Sequence, residues 1–298
     1  MPSFRARMIN TMLRLTVKPL WRPGLTIDAI RRHTARTDAR LGRRRVGCAT
    51  ESVTIAGVPA KWYGEPDLAR RNGTLLYLHG GAWCVHLPGM YGAIAARLSA
   101  ATGMRVLLVD YRLAPEHPFP AAVDDCLAVY RALLAGPTGR PRVITGDSAG
   151  GNLALVTLMQ ARDAHLSLPA CAVLLSPAID ISMSGPSIRY NAKADPMFSA
   201  AAGDLLPDIY CPGLERTLPL ISPLHGDWRG LPPLYFLAGS TEMLLDDSVR
   251  AHDRAQQAGT SSRIDVWPDM PHVFPLFPLA PEAKQAIRDI VAFIDQHA

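Results

Sequence analysis

The chain has 298 residues, of which 48% are hydrophobic and 19% are charged, a balance typical of a globular protein with a sizeable core. The net charge of +5 arises in residues 1–45, which hold twelve Arg and Lys against two Asp, so a uniform basic surface for nucleic acid is not expected. No run reaches the ~18 apolar residues that a membrane span requires, and the five cysteines are scattered, which favours a cytoplasmic protein.

Two helices are predicted at the N-terminus. Over residues 4–20, apolar side chains recur at helical spacing through Phe4, Met8, Met12 and Leu15, while basic residues lie largely elsewhere. We favour a helix that packs this stripe over the core. A basic helix on an anionic membrane surface is the alternative.

Strands and helices alternate from residue 48 onward. Residues 52–58 and 61–63 alternate like a half-exposed antiparallel pair, whereas residues 74–79 and 104–111 are continuous apolar runs typical of parallel strands covered on both faces. Further strands are predicted at residues 142–146, 171–175, 233–237 and 263–267, and helices at 26–41, 91–101, 121–134, 149–162, 246–258 and 281–296. Repeated βα units predict an α/β fold with a mostly parallel, doubly wound sheet of about eight strands.

Residues 181–228 interrupt this alternation. The stretch is rich in Pro, Ser and Gly, carries one plausible helix near residues 199–210, and is much longer than an ordinary connection between strands. An insertion at the C-terminal edge of a parallel sheet predicts a lid over a site at that edge.

The segment Gly146-Asp147-Ser148-Ala149-Gly150 joins a predicted strand to a predicted helix and has the pattern G-x-S-x-G. In such a nucleophile elbow the serine takes a strained backbone conformation, and the glycines avoid clashes in a crowded turn. The following helix N-terminus favours developing negative charge. Ser148 is therefore the predicted nucleophile, and a Gly/Ser turn without chemistry is the alternative.

A catalytic serine needs a base, a group that orients the base, and donors for the oxyanion. His272 lies in a Pro-rich loop just past the last predicted strand, where side chains face the crevice at the sheet's C-terminal edge. Glu242 is the first carboxylate after the preceding strand, whereas Asp246 and Asp247 resemble the cap and first turn of the next helix. We predict His272 as the base and Glu242 as the acid, with Asp246 as the alternative acid.

The segment His79-Gly80-Gly81-Ala82-Trp83 follows a predicted strand, and its small residues let backbone N–H groups approach a substrate closely. The predicted oxyanion donors are the N–H groups of Gly80, Gly81, Ala82 and Ala149. His79 is expected to pin the loop. The sequence contains no H-E-x-x-H, P-loop or dinucleotide-binding motif, so neither a metal nor a cofactor is expected.

Three segments together resemble the bacterial hormone-sensitive-lipase-like branch of the α/β-hydrolase superfamily: residues 79–83, residues 110–122 (DYRLAPEHPFPAA) and residues 146–151. The resemblance implies an α/β-hydrolase fold with a helical cap. Residues 1–45 and an insertion at about 181–228 would form the cap, on a catalytic domain of residues 46–298. It also implies that Asp110, Arg112 and Glu116 form buried charge pairs beneath the elbow, and it suggests a homodimer as one assembly.

Two residues depart from the pattern of this family. Its loop usually reads HGGG, and Ala82 stands here at the third glycine. Its acid is commonly an Asp followed by Pro-Leu, and here Glu242 is followed by Met-Leu. Because the loop residue acts through its backbone N–H, we expect Ala82 to narrow the pocket without removing the oxyanion hole.

The predicted activity is hydrolysis of small carboxylic esters, with acyl chains of roughly two to eight carbons in an apolar pocket of ordinary size. The pocket is predicted from Trp83 and from apolar residues of the insertion, which are Met197, Phe198, Leu205, Leu206 and Tyr210. A lactonase and an amidase such as an aryl formamidase are alternatives on the same machinery. A non-catalytic small-molecule receptor is the remote alternative.

Overall fold

The computed structural model describes residues 1–21, 24, 26–42, 47–136 and 140–298. The boundary expected between residues 45 and 46 lies outside the described residues. Eight strands are present: β1 Thr50–Ile55, β2 Val58–Tyr63, β3 Thr74–Leu78, β4 Arg105–Val109, β5 Val143–Asp147, β6 Cys171–Leu175, β7 Leu234–Gly239 and β8 Ser262–Trp267. They form one sheet in the order β1-β2-β4-β3-β5-β6-β7-β8. β2 is antiparallel to β1 and β4, and every other neighbouring pair is parallel.

The α-helices among the described residues are α1 Phe4–Thr16, α2 Ile27–Gly42, α3 Pro66–Asn72, α4 Pro88–Thr102, α5 Ala121–Ala135, α6 Ala149–Asp163, α7 Ser187–Tyr190, α8 Ala200–Tyr210, α9 Leu245–Gln257 and α10 Pro281–His297. Short 3-10 turns occupy Lys18–Trp21, Pro223–His225 and Phe274–Leu276. None of the described helices combines the length and the apolar character needed to cross a membrane.

Helices cover both faces of the sheet, and this explains the continuous apolar strands. Successive strand residues point to opposite faces. In β3, Leu76 packs in the cluster that holds Leu153 of α6, whereas Leu75 packs in the cluster that holds Ile94 of α4 and Ile290 of α10. Every residue of β3 to β7 is buried. The predicted doubly wound α/β-hydrolase sheet is confirmed.

Helix α1 buries the face opposite to the predicted one. Phe4 is 75% exposed, Leu15 is 73% exposed, and Met8 and Met12 are each 48% exposed, whereas Ala6, Ile9 and Leu13 are buried. Ile9 and Leu13 pack against Ala280 and Ala283 at the start of α10. The prediction that the Phe4 stripe is covered is therefore wrong. Apolar side chains lie on both sides of this helix, and the small residues of α10 select the side that packs.

Long cationic side chains hold the N-terminal helices against the rest of the protein. Arg14 donates to the carbonyls of residues 193 and 194, and Lys18 donates to those of residues 192 and 195. Arg31 of α2 donates to the carbonyls of Cys84 and Ala114 and pairs with Glu116 at 2.6 Å. The N-terminal helices thereby contact both the insertion and the loop that follows β3.

The charges of the 110–122 run are paired, but not as expected. Arg112 pairs with Asp125 of α5 at 2.7 Å, Asp110 contacts His86 at 2.9 Å, and Glu116 pairs with Arg31. Each of the three expected residues is about half exposed. The prediction of buried charge pairs among Asp110, Arg112 and Glu116 is wrong, because each side chain turns outward to a partner on another element.

Candidate active site

The turn between β5 and α6 holds Ser148 in a strained conformation. Its φ is 52° and its ψ is −120°, a region that L-residues rarely adopt. A Cβ on Gly146 would lie 2.2 Å from the Gly150 carbonyl oxygen, and one on Gly150 would lie 2.0 Å from that of Leu78. Both positions therefore exclude any side chain. The turn places the Ser148 hydroxyl at the C-terminal edge of the sheet, in front of the first turn of α6.

The structure brings Ser148, His272 and Glu242 together from three separate strand ends. The His272 Nε2 atom lies 2.9 Å from Ser148 Oγ, and the His272 Nδ1 atom lies 2.6 Å from Glu242 Oε2. All three residues are buried. In this geometry the serine hydroxyl donates to Nε2 and Nδ1–H donates to the carboxylate, which is the arrangement that a general base requires.

Ser176 supports Glu242, the candidate acid, and was not among the residues predicted from sequence. The other oxygen of Glu242, Oε1, accepts from Ser176 Oγ at 3.0 Å and from the N–H of Gly239. The same serine oxygen accepts from the N–H of Val273 at 3.0 Å, so it joins the acid to the loop that carries His272. Ser176 directly follows β6, and a polar residue at the end of a central parallel strand was the available signal.

The pKa of His272 reflects two opposing effects. Burial lowers the pKa, but the hydrogen bond from Nδ1–H to Glu242 and the negative charge of that carboxylate outweigh it, so the pKa is raised above 6.5. Burial also raises the pKa of Asp147, beside the serine, to about 6. The Asp147 Oδ1 atom accepts from Tyr77 Oη at 2.8 Å and from the Gly80 N–H at 3.0 Å.

Asp246, the alternative acid, faces the insertion. One of its oxygens accepts from the N–H of Ser187 at 2.7 Å, and the other accepts from the hydroxyl of Tyr190 at 2.8 Å. Both partners belong to α7. Asp246 therefore ties α7 to the start of α9, while the Nδ1 atom of His272 is occupied by Glu242.

The loop after β3 presents free backbone donors beside Ser148. Among the described residues, the N–H groups of Gly81, Ala82 and Ala149 donate to no protein acceptor. The prediction that the Gly80 N–H is an oxyanion donor is wrong, because this group already donates to the Asp147 carboxylate. Ala82 has a φ of 54°, in the left-handed region that glycine adopts readily and alanine adopts only at an energetic cost.

His79 holds this loop from below. Burial lowers the pKa of His79 to about 3, so the ring is neutral and its Nδ1–H donates to the Gly80 carbonyl at 2.7 Å. The ring stacks between Tyr111 and His86, with centroids 4.3 and 4.4 Å away. His79, His86 and Asp110 are the one described group whose ligand atoms lie near enough to share a metal ion. Their geometry does not suit a metal ion. The nitrogen lone pairs of the stacked His79 and His86 rings lie in two nearly parallel planes, so they do not converge on one point.

A cavity of about 40 Å³ adjoins Ser148. Its walls are Ala82, Trp83, Ala178, Met183, Ile188, Phe198, Ala202, Gly203, Leu206, Met243 and Leu244. A larger, open cavity of about 470 Å³ lies away from the serine, beside β1 and β2. The small apolar cavity is therefore the one in which a group bonded to Ser148 can lie.

Three of the six residues predicted for the pocket, Trp83, Phe198 and Leu206, line this cavity, and Met197, Leu205 and Tyr210 do not. Met197 packs in the cluster of α1 and α10, and Tyr210 stacks against the Trp83 ring at 4.2 Å and supports it. An apolar or aromatic residue type was the signal for all six. Residue type alone does not distinguish a side chain that lines the cavity from one that packs behind the lining. It also gives no signal for small lining residues such as Gly203.

Comparison with known proteins identifies the family. A family model described as the alpha/beta hydrolase fold matches residues 75–276. An acetyl-hydrolase of Streptomyces hygroscopicus is 40% identical over 246 residues, which cover 81% of either chain. An esterase of Acinetobacter venetianus is 37% identical over 250 residues, covering 81% of this chain and 80% of its own.

A solved structure agrees with these relatives. The crystal structure of an esterase from the bacterial hormone-sensitive lipase family has a TM-score of 0.91 and 38% identity, and the match covers 100% of this chain and 99% of that one. The elbow, the loop after β3 and the eight-stranded sheet are thus parts of one known architecture. The chain belongs to the bacterial hormone-sensitive-lipase-like esterase family of the α/β-hydrolase superfamily.

Proposed function

We propose that this esterase hydrolyses carboxylic esters with short acyl chains through an acyl-enzyme on Ser148. One observation carries the proposal: the hydrogen-bonded line from Glu242 through His272 to Ser148, with distances of 2.6 and 2.9 Å, is buried and ends at an apolar cavity. Nucleophile, base and orienting carboxylate are thereby within the reach that serine catalysis demands.

In the acylation step, the Ser148 oxygen attacks the ester carbonyl carbon while His272 Nε2 takes the hydroxyl proton. The carbonyl oxygen becomes an oxyanion, which the N–H groups of Gly81, Ala82 and Ala149 stabilise by hydrogen bonds. The bond to the alcohol oxygen then breaks, and the imidazolium returns its proton to the departing alkoxide. Glu242 holds the ring in the required tautomer and stabilises its positive charge.

In the deacylation step, a water molecule replaces the alcohol. His272 takes a proton from this water as its oxygen attacks the acyl carbon, and the same N–H groups bind the second oxyanion. Collapse of this intermediate breaks the bond to Ser148 Oγ and releases the carboxylic acid. The proton held by His272 returns to the serine, so the free enzyme is regenerated.

The cavity supports a preference for short acyl chains. A volume of about 40 Å³ holds roughly three water-sized groups, which is comparable with an acetyl group. Ala82 contributes a methyl group where the family usually has none, and this narrows the space beside the oxyanion. Hydrolysis should therefore be fastest for acyl chains of roughly two to four carbons, the lower part of the range expected from sequence.

The cap assignment is part of the proposal. Cap residues Trp21, Ile27 and Ile30 share one apolar cluster with Cys84 and Val85 of the loop after β3 and with Ala202 and Leu206 of α8. Phe198 of the insertion packs edge-on against His272, with ring centroids 5.1 Å apart. Residues 1–45 and 181–228 would then form one cap that shapes the acyl cavity and limits the access of water to the triad.

Initial rates on p-nitrophenyl esters of increasing acyl length, measured beside a lactone and an anilide, test this function. We expect the acetate or butyrate ester to give the highest kcat/KM and the anilide to react far more slowly. A maximum at long acyl chains would contradict the cavity argument. A faster lactone or anilide would favour a lactonase or an amidase, and no reaction with any substrate would favour the receptor.

A further inference from the structure

Helix α1 carries an apolar surface that no described residue covers. Phe4, Met8, Met12 and Leu15 are exposed, and at 100° per residue they fall within one 80° sector of the helix. Met1, which precedes the helix, is also exposed. A folded protein rarely leaves a continuous row of large apolar side chains in water, so such a row indicates a contact surface.

Cationic side chains border this row on both sides. Arg5 lies along one edge, and Arg7 and Arg14 lie along the other. Residues 1–21 contain no Asp or Glu. An apolar sector between two cationic edges matches a surface that is apolar inside and negatively charged at its boundary, which is the chemistry of an anionic lipid bilayer.

The surface is already in place before any partner binds. Ser3 caps the helix and contacts Glu282 of α10 through its N–H at 2.7 Å and its hydroxyl at 2.9 Å. The buried side is held by Ile9 and Leu13, and the C-terminal end is held by Arg14 and Lys18 on carbonyls of the insertion. No ordering of the helix is required on binding, because its opposite side already packs on the protein.

We propose that the outer face of α1, formed by Phe4, Met8, Met12 and Leu15 with their flanking arginines, docks the enzyme on an anionic phospholipid surface. The apolar row enters the boundary between headgroups and acyl chains, and Arg5 and Arg7 bind headgroup phosphates, while Arg14 stays on the carbonyls of the insertion. The enzyme lies on the membrane and does not span it.

A second copy of the chain fits this surface less well. A helix of 13 residues is about 20 Å long and presents a strip of about 200 Å², against the roughly 800 Å² per partner of a stable interface. Two copies meeting through α1 would also place arginines near arginines, with no carboxylate on residues 1–21 to separate them. Lipid phosphates supply the negative charge that a second copy lacks.

Docking through α1 would bring the cap to the lipid surface. Lys18 donates to the Asp195 carbonyl, and the Asp195 carboxylate accepts from the N–H groups of Met197 and Phe198. Phe198 in turn contacts His272. A short series of contacts thus connects the segment that follows α1 with the catalytic base.

Co-sedimentation of the full chain with vesicles tests this proposal without reference to ester hydrolysis. The vesicles are phosphatidylcholine alone or phosphatidylcholine with phosphatidylglycerol. We expect binding to the mixed vesicles only, weakened as NaCl rises from about 50 mM to about 500 mM. The variant F4S/L15S should bind at least about tenfold more weakly because it loses the apolar row, and R5Q/R7Q should bind several-fold more weakly.

The matched control is L218S/L220S, which removes two exposed leucines far along the chain from α1 and should bind like the unmodified protein. Thermal unfolding midpoints verify that each variant is folded. The proposal would be overturned if the unmodified chain did not bind mixed vesicles. It would also be overturned if L218S/L220S lost as much binding as F4S/L15S. A concentration-dependent dimer that F4S/L15S abolishes, without lipid binding, would instead assign the face to a second copy.

Discussion

The candidate site at the strand ends and the proposed cap are built by different means. Ser148, Glu242 and His272 each follow a parallel strand, and their positions depend on the hydrogen-bonded register of β5, β7 and β8. The segments of the proposed cap are held by long side chains such as Arg14, Lys18 and Arg31, which reach backbone carbonyls on other elements. Changes at the strand ends should therefore alter the rate of chemistry, whereas changes in the cap should alter access and selectivity.

The largest effect is expected from Ser148→Ala. Removal of the nucleophile should lower kcat by about 10⁴-fold or more, because the oxyanion donors alone supply only residual catalysis. The unfolding midpoint should be unchanged or higher, since alanine removes no core contact. Ser261→Ala, at an exposed position, is the matched control and should keep full activity. More than a tenth of the original rate in Ser148→Ala would rule out the serine mechanism.

The second prediction separates the two candidate acids. Glu242→Gln should lower kcat by about 10³-fold to 10⁴-fold, because an amide neither fixes the tautomer of His272 nor stabilises its positive charge. Asp246→Asn should cost less than about tenfold, since it weakens contacts to Ser187 and Tyr190 and leaves the triad in place. The same ester serves both variants. A greater loss in Asp246→Asn would reverse the assignment.

The third prediction removes residues 1–45. The deletion exposes the apolar cluster around Cys84 and Val85 and releases the loop after β3 from Arg31. Displacement of the oxyanion donors by about 1 Å is enough to lower activity by about 10²-fold, and we expect at least this loss together with aggregation. Size-exclusion chromatography and rates across the ester series measure both. An active, monodisperse and equally selective truncated protein would contradict the cap assignment.

The fourth prediction concerns pH. Only neutral His272 can accept the serine proton, so kcat/KM should fall about tenfold per pH unit once the pH drops below the raised pKa of this residue. The midpoint should lie above 6.5. In Glu242→Gln it should move to lower pH, because the carboxylate that raises the pKa is gone. A midpoint below 6.5 in the unmodified enzyme would show that burial outweighs Glu242.

The smallest effect is expected from Ala82→Gly, which restores the usual glycine of the family. Loss of the methyl group widens the cavity, so the ratio of hexanoate to acetate hydrolysis should rise several-fold. Ala56→Gly is the matched control, because Ala56 has a similar φ of 52° in an exposed turn far from the site. That control should relieve a comparable backbone strain of about 1 kcal/mol and leave the ratio unchanged. An unchanged ratio in Ala82→Gly would place the limit on acyl length elsewhere.

Most strands of the sheet could be predicted from local sequence patterns. The run at residues 171–175 was predicted to the residue, because a strand buried on both faces needs an unbroken apolar segment. The candidate triad of Ser148, Glu242 and His272 could be predicted for a related reason. In a parallel sheet, the residues just past the C-terminal ends of the strands lie close together at one edge. Ser176 was missed because its one signal, a polar residue just past a central parallel strand, is not a distinctive motif.

The sequence by itself determined the order of the eight strands along the chain, the elbow at Ser148 and the positions of His272 and Glu242 past their strands, since each depends on local steric rules and strand direction. Tertiary structure alone decided which side of α1 packs, that Gly80 donates to Asp147, and that Met197 and Tyr210 lie behind the cavity wall. These outcomes depend on which surfaces and polar groups meet across elements distant in the chain. Local periodicity and residue type do not contain that information.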